Sequence, residues 1–462
     1  MISDDIIAAL STPYGRGGIA VIRVTGEGSI ALCEKVFRPR SGKALSEYRS
    51  SAAVYGDIYD KSGLIDDGLA TVFRAPKSFT GEETVEISCH GGIILCQTVL
   101  EAIFAAGARQ AGPGEYTKRA FLNGHISLSQ AESVMDLIDA ESKEKVHLAA
   151  AQSHGVLSGK IDSIAGKITD LLSEAYVRSD YPDEDLNDMT SEKLGYELGE
   201  VIDDMKKLSD TYGIGSAVCE GVPTVIAGKP NTGKSSLLNA ILGTDRAIVT
   251  DVPGTTRDTI DATVNIGRIF LRISDTAGIR GTSDTVEKLG VERTEKLIKE
   301  LGKNGLVLAV FDGSKDEDDE DSEFISFLAA NARGQIIPIL NKSDIGTDGK
   351  YVFPAAFGTP VRISAKNGEG IDTLRDAITS LFVSEAIDYG QTPVISNARQ
   401  HACLTASLET LENAREALDS GTPMDMVLLD VEQAHSSLCE IDGRGTAEEI
   451  TDKIFHRFCV GK

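Results

Sequence analysis

The nine residues from Gly228 to Ser236, GKPNTGKSS, carry the chemistry that constrains this chain most tightly. They fit the spacing G-x-x-x-x-G-K-[ST], in which glycine N–H groups turn inward around phosphate oxygens that a Cβ would obstruct. Lys234 supplies a point charge to the β- and γ-phosphates of a nucleoside triphosphate, and the Ser235 hydroxyl is a Mg²⁺ ligand. Asn231, Thr232, Gly233 and Ser236 complete the contact set. The run VPTVIAG before the loop reads as a buried strand, and SSLLNAIL after it as a helix whose N-terminus faces the anion. A bland Gly-rich turn is the competing reading, and the strand and helix on either side weigh against it.

The base is legible as well. QIIPIL (Gln335 to Leu340) reads as a strand ending in Asn341, Lys342, Ser343 and Asp344. A carboxylate there accepts both the N1–H and the exocyclic N–H of guanine, a donor pair that adenine lacks, so GTP is expected rather than ATP. Val361-Arg362-Ile363 leads into Ser364, Ala365 and Lys366, whose backbone N–H groups meet the guanine O6. IFLRIS runs into Asp275, Thr276, Ala277 and Gly278. Asp275 holds Mg²⁺ through water, the Gly278 amide reaches the γ-phosphate, and Thr256 completes the metal shell. Four boxes in this order, each at a strand end where open α/β sheets bind ligands, imply a GTPase.

How GTP is cleaved is less direct. The residue after DTAG is Ile279, not a water-orienting glutamine. Another group must place the nucleophile, and another cation must offset charge on the transferring phosphoryl. The Asn231 amide oxygen, with carbonyls of the loop Thr250-Asp251-Val252-Pro253-Gly254-Thr255, suits a monovalent cation; alternatively Asn231 only braces the loop. Glu287 either orients the water or is an exposed helix residue.

These boxes occupy under half of the 462 residues, and 41% hydrophobic content supports about three cored domains. A formal charge of −25 argues against broad adhesion to nucleic acid or anionic membrane, while leaving a local basic face open. Seven scattered cysteines without a C-x-x-C pair read as reduced thiols. The N-terminus MISDDIIAALSTP is acidic where a signal peptide is basic, and no apolar run reaches membrane-spanning length, so a cytoplasmic protein is expected.

Residues 1–120 alternate like strands in IAVIRVTG, GLATVFRAP and ETVEISCHGG, with GIILCQTVLEAIFAAGA as a helix, an α+β pattern. Residues 121–216 and 381–462 are helical, and 217–380 hold the GTPase boxes, which suggests a module inserted into a helical domain built from both flanks. Ser129-Gln130-Ala131-Glu132 and Thr446-Ala447-Glu448-Glu449 read as capping boxes, the second opening a helix with Ile450, Ile454 and Phe458 on one face. KDEDDEDSE (Lys315 to Glu323) reads as a solvated loop rather than a metal site.

With these residues assembled, the chain resembles the MnmE (TrmE) family of tRNA modification GTPases, of the TrmE–Era type, along its whole length. The resemblance is carried by TPYGRGGIAVIRVTG, SFTGEETVEISCHGG, PGEYTKRAFLNGHISLSQAE, YPDED, GKPNTGKSS, TDVPGTTRD, DTAGIR, NKSD and the terminal FCVGK. It implies a multidomain α/β plus α fold: an N-terminal α+β tetrahydrofolate-binding and dimerisation domain, a central all-helical domain, and an inserted Ras-like P-loop GTPase domain. It implies potassium-stimulated hydrolysis, with K⁺ at Asn231, Thr250, Val252 and Thr255, Mg²⁺ at Ser235 and Thr256, and Glu287 orienting the water. Contacts to 5-formyltetrahydrofolate or a related tetrahydrofolate carry over to Arg23, Glu86, His125 and Lys462. His125 stands where the family often has lysine, and a neutral imidazole weakens an ionic contact with the folate tail. The competing reading of Arg23 and Glu86 is an internal ion pair that only stabilises the sheet.

The implied reaction places an aminomethyl or carboxymethylaminomethyl group at C5 of the tRNA wobble uridine. The implied partners are a second copy in a homodimer and an FAD-dependent MnmG (GidA)-type protein in a heterotetramer or larger complex. No G-x-G-x-x-G unit follows a strand, so FAD belongs to the partner. Cys459 stands open between a nucleophile toward the pyrimidine and a packed, inert thiol. An Era-like ribosome-assembly GTPase is the competing function, and a mechanical GTP switch a third; acidic balance and the folate-like N-terminus weigh against the first.

Overall fold

The computed structural model describes residues 5–180, 190–244, 262–267, 269–274, 293–346, 349–382, 388–456 and 458–461. Two compact units divide the chain. One comprises residues 1–135, 152–161 and 438–462, the other residues 136–151 and 162–437.

In the first unit the β-branched N-terminal runs form a seven-stranded sheet: β1 (Ile7–Leu10), β2 (Gly17–Thr25), β3 (Phe37–Pro39), β4 (Ala52–Asp60), β5 (Gly63–Phe73), β6 (Thr84–Gly91) and β7 (Arg109–Gln110). The order is β3-β4-β5-β6-β2-β1-β7. Alternation along β2 buries Ala20, Ile22 and Val24 in a core shared with Cys96, Val99 and Ile103 of the helix Ile93–Ala106. Arg23 therefore lies on the other face, directly across from Glu86 of β6.

Two capping expectations are corrected here. The helix Leu128–Ile138 is opened by Ser127 and Gln130: Gln130 Oε1 accepts from the Ser127 N–H (2.8 Å), and Ser127 Oγ from the Gln130 N–H (3.2 Å). Ser129 is buried instead, donating to Asp442 Oδ1 at 2.5 Å, which ties a residue before the GTPase boxes to one after them. The last helix, Glu448–Phe455, is capped by Ala447 without a side-chain bond. Of its expected apolar face, Ile454 and Phe458 pack with Phe455 against Leu128 and Ala131, whereas Ile450 is exposed.

The second unit holds a six-stranded sheet of β8 (Val222–Ala227), β9 (Ala262–Ile266), β10 (Ile269–Ile273), β11 (Leu306–Asp312), β12 (Gln335–Asn341) and β13 (Val361–Arg362), in the order β13-β12-β11-β8-β10-β9. Only β9 and β10 pair antiparallel. Both faces are covered, so the strands read as unbroken apolar runs. Leu308 and Val310 of β11 enter one core cluster, and Val307, Ala309 and Phe311 the other. The helix Ser191–Ser209 before the sheet packs on Ala398–Asp419 after it, joined by Lys206–Glu412 at 2.7 Å. Thus helices from both flanks of the module meet.

The acidic run is exposed along most of its length, as expected, but from Asp319 it is the start of a helix rather than loop, and Asp321 is buried. Asp318 accepts from the Asp321 N–H at 2.9 Å and caps the helix Asp319–Asn331, whose first turn carries three acids where the helix dipole favours them. Among the described residues, no helix is long and apolar enough to cross a membrane.

Candidate functional site

β8 ends beneath a loop whose shape depends on two glycines. Gly228 (φ 153°) and Gly233 (φ 98°) sit in backbone regions that L side chains avoid. A Cβ on Gly228 would overlap Val310 O, and one on Gly233 would overlap Asn341 Nδ2. Between them Asn231 is left-handed (φ 62°), a conformation asparagine tolerates better than most residues. Thr232 is buried and donates its hydroxyl to Lys229 O at 2.9 Å. The helix Lys234–Thr244 then begins, and Lys234 Nζ donates to Gly228 O (2.7 Å) and Lys229 O (2.8 Å). The ammonium is thus held at the mouth of the loop by neutral carbonyls. Asn231, Ser235 and Ser236 are exposed around it.

Asn341, at the end of β12, is only 3% exposed and bridges two boxes. Its Nδ2 donates to Thr232 O at 2.8 Å, and its Oδ1 accepts from the Ala365 N–H at 3.0 Å. The asparagine of the base box is therefore structural: it fixes the phosphate loop and the Ser364–Lys366 turn in one arrangement. Asp344 is exposed, and its Oδ1 accepts from Ser364 Oγ at 2.7 Å. Lys342 takes a left-handed backbone (φ 70°) and donates to Asp312 Oδ2 at 2.7 Å. Burial alone would raise the Asp312 carboxyl, but hydrogen bonds from Lys342 and Ser314 hold it below the usual carboxylate range. Asp312 was not singled out from the sequence; an acid ending the strand LVLAVFD beside the base box is the signal that would have found it. Thr250 through Thr256, Asp275 through Gly278 and Glu287 lie outside the described residues.

The N-terminal set converges on β2. Arg23 Nε donates to Glu86 Oε1 at 2.9 Å, and the guanidinium lies 5.6 Å from the ring centroids of Phe79 and Tyr116. Tyr116, fully buried, donates its hydroxyl to Arg23 O at 2.8 Å. These two aromatics were not foreseen. His125 is exposed and packs on Gly81, two residues from Phe79; Asn123 Nδ2 donates to Thr80 O at 2.7 Å in the same stretch. The tail runs past the start of the Tyr116 helix: Cys459 O accepts from the Gly114 N–H at 3.3 Å, Val460 bridges Pro113, and Ser11 Oγ donates to Gly461 O at 3.2 Å. Cys459 itself is exposed. Lys462 lies outside the described residues.

Comparison with known proteins bears on both sets of residues. The description "MnmE helical domain" matches residues 128–459, and "GTP-binding protein TrmE N-terminus" matches residues 6–125. The tRNA modification GTPase MnmE of Carboxydothermus hydrogenoformans is 42% identical across 99% of this chain and all of its own. Those of Clostridioides difficile and Geobacillus kaustophilus are 41% and 42% identical, each across the full length of both chains. With a phosphate loop, a base box and a full-length match of this kind, the chain is a GTP hydrolase and belongs to the MnmE family of tRNA modification GTPases.

Proposed function

We propose that this GTP hydrolase is stimulated by potassium and works with an FAD-dependent MnmG (GidA)-type partner to place an aminomethyl or carboxymethylaminomethyl group at C5 of the tRNA wobble uridine. The observation that carries the reading is the presence, in one chain, of a guanine-type phosphate site and of a charged aromatic site at Arg23 and Glu86. A GTPase acting as a switch alone has no use for the second.

Asn231, Lys234 and the Ser364–Lys366 turn take GTP, with Asp344 accepting the guanine N–H pair. The loop is cut to phosphate size: its glycines leave no room for side chains, and Lys234 rests on carbonyls that phosphate oxygens can replace. Ser235 with Thr256 would hold Mg²⁺, which offsets charge on the phosphates. Asn231 with Thr250, Val252 and Thr255 would hold K⁺, an all-oxygen set suited to a hard cation. Glu287 orients the hydrolytic water.

At the other site, Glu86 offers a carboxylate to the aminopyrimidinone edge of a tetrahydrofolate, which presents the same donor pair as guanine. Arg23 and Phe79 would hold the ring system, and His125 and Lys462 would contact the glutamate tail. The folate supplies the one-carbon unit when bound. The exposed Cys459 thiol is available as a nucleophile toward the pyrimidine. Residues 1–120 form the folate-binding and dimerisation domain, 121–216 with 381–462 the helical domain, and 217–380 the inserted GTPase domain of a cytoplasmic homodimer. Mass analysis of wobble nucleosides from cells lacking the protein tests the reading: unmodified C5 is expected, and unchanged nucleosides would refute it. Hydrolysis should rise severalfold when K⁺ replaces Na⁺, and equal rates would remove the cation set.

A further inference from the structure

The phosphate loop contains a second lysine, Lys229, to which nothing above gives a role. Its ammonium donates to Asp318 Oδ1 and Oδ2 at 2.5 and 2.6 Å. Asp321 Oδ1 lies 3.0 Å away, an ionic contact too bent to be a hydrogen bond. The Asp321 side chain is only 4% exposed, so its charge depends on that ammonium. Meanwhile the Lys229 carbonyl accepts from both Lys234 Nζ and Thr232 Oγ1. One residue is therefore anchored at its side chain to the helix Asp319–Asn331, and at its carbonyl to the two side chains that shape the loop.

The contacts continue past the helix. Tyr351 Oη lies 3.2 Å from Asp321 Oδ2 and 3.2 Å from Asp312 O, its one proton serving either acceptor. Asp312 in turn accepts from Lys342 in the base box. Phosphate loop and base box are thus joined twice, once through buried Asn341 and once along this outer route.

We infer that Lys229 is a positioning residue for GTP hydrolysis: held by Asp318 and Asp321, it fixes the carbonyl that aims the Lys234 ammonium, and through Tyr351 and Asp312 it sets the phosphate loop against the base box. Lys229 does not act by attracting phosphate. Asp318 and Asp321, with Glu320 3.8 Å away, more than cancel its charge. Its loss removes alignment made equally in the ground and transition states, so the effect belongs in KM. The inference rests on GTP hydrolysis alone and is independent of any tRNA or folate chemistry.

The test uses the full-length protein and four variants in steady-state GTP hydrolysis, each assayed below its own melting temperature. Lys229→Met should raise KM about tenfold with kcat within about twofold, and Lys229→Arg should return KM to within about threefold of the parent. Asp318→Asn keeps a good helix N-cap while removing the charge, and should raise KM about threefold without a matching loss of melting temperature. Tyr351→Phe, which breaks the outer route in its middle, should raise KM about twofold to threefold. A parental KM in Lys229→Met or Asp318→Asn would overturn the assignment. So would a fall in kcat as large as the rise in KM, or an arginine variant as weak as the methionine one.

Discussion

At the phosphate loop, the charge on Lys234 rests on two neutral carbonyls; on the N-terminal sheet, the charge on Arg23 rests on the carboxylate of Glu86. The difference decides what each place accepts. On the proposed reading, phosphate oxygens take the place of those two carbonyls on the ammonium, and selectivity is left to the base box. A ligand that takes Arg23 from Glu86 must bring donors to the carboxylate, because an unpaired half-buried charge is costly. Selectivity is then built into the pair itself.

The sharpest break in this contrast is Lys234→Ala. It should lower hydrolysis about 10³-fold in a GTP turnover assay, since the loop's other ammonium, Lys229, is taken by Asp318 and Asp321. Gly233→Ala attacks the same site through geometry. Left-handed strain of about 1–2 kcal/mol, together with displacement of the buried Asn341 amide, predicts about 100-fold weaker nucleotide binding by fluorescence titration. If the proposed folate reading holds, Arg23→Ala should weaken 5-formyltetrahydrofolate binding about 30-fold by calorimetry, because it leaves Glu86 without its cation. Arg23→Ala combined with Glu86→Ala should cost less than the two separate losses added together. If those losses instead add, the pair is not the selectivity element.

The smallest effect concerns acid stability near the N-terminal site. Burial alone would raise the Glu115 carboxyl, but hydrogen bonds from Arg109, the Gly112 N–H and Arg119 hold it below its ordinary value of 4.5. A depressed folded-state value stabilises the fold above the unfolded-state value, and that stability is lost as pH falls through the folded one. The melting temperature of Glu115→Gln should therefore lie below the parent's by a few degrees at neutral pH and converge with it as pH falls through the depressed folded-state value. A gap that persists in acid would assign the loss to packing.

What the sequence disclosed follows the same division. The strands ending at Ala227, Ile273, Asn341 and Arg362 were legible because doubly covered strands are continuous apolar runs, and glycine spacing marked the loop. Helix starts were less so. Ser129 and Thr446 have capping-box spacing, yet Ser127 caps one helix and Ala447 the other, because Ser129 satisfies buried Asp442 instead. Spacing reports which residues are able to cap, whereas tertiary hydrogen bonds choose among them. Likewise the pairing of Asp318 and buried Asp321 with Lys229 was not legible, because that cation lies far away in sequence. Tyr116 and Phe79 lie inside the stretches PGEYTKRAFLNGHISLSQAE and SFTGEETVEISCHGG, yet went unassigned because nothing in their spacing points to Arg23; only the fold brings them to β2.

The central claim is a guanine-selective hydrolytic site, and Asp344 tests it most directly. On the proposed reading its carboxylate would accept two guanine N–H groups, whereas an asparagine there offers one acceptor and one donor, the pattern that matches xanthine. Rates of GTP, ATP and XTP hydrolysis should be compared for the parent and for Asp344→Asn. The account predicts that the parent prefers GTP, and that the variant loses GTP hydrolysis by at least about 100-fold in kcat/KM while gaining XTP hydrolysis. A variant that still turns over GTP at the parental rate, or a parent that hydrolyses ATP equally well, would contradict it.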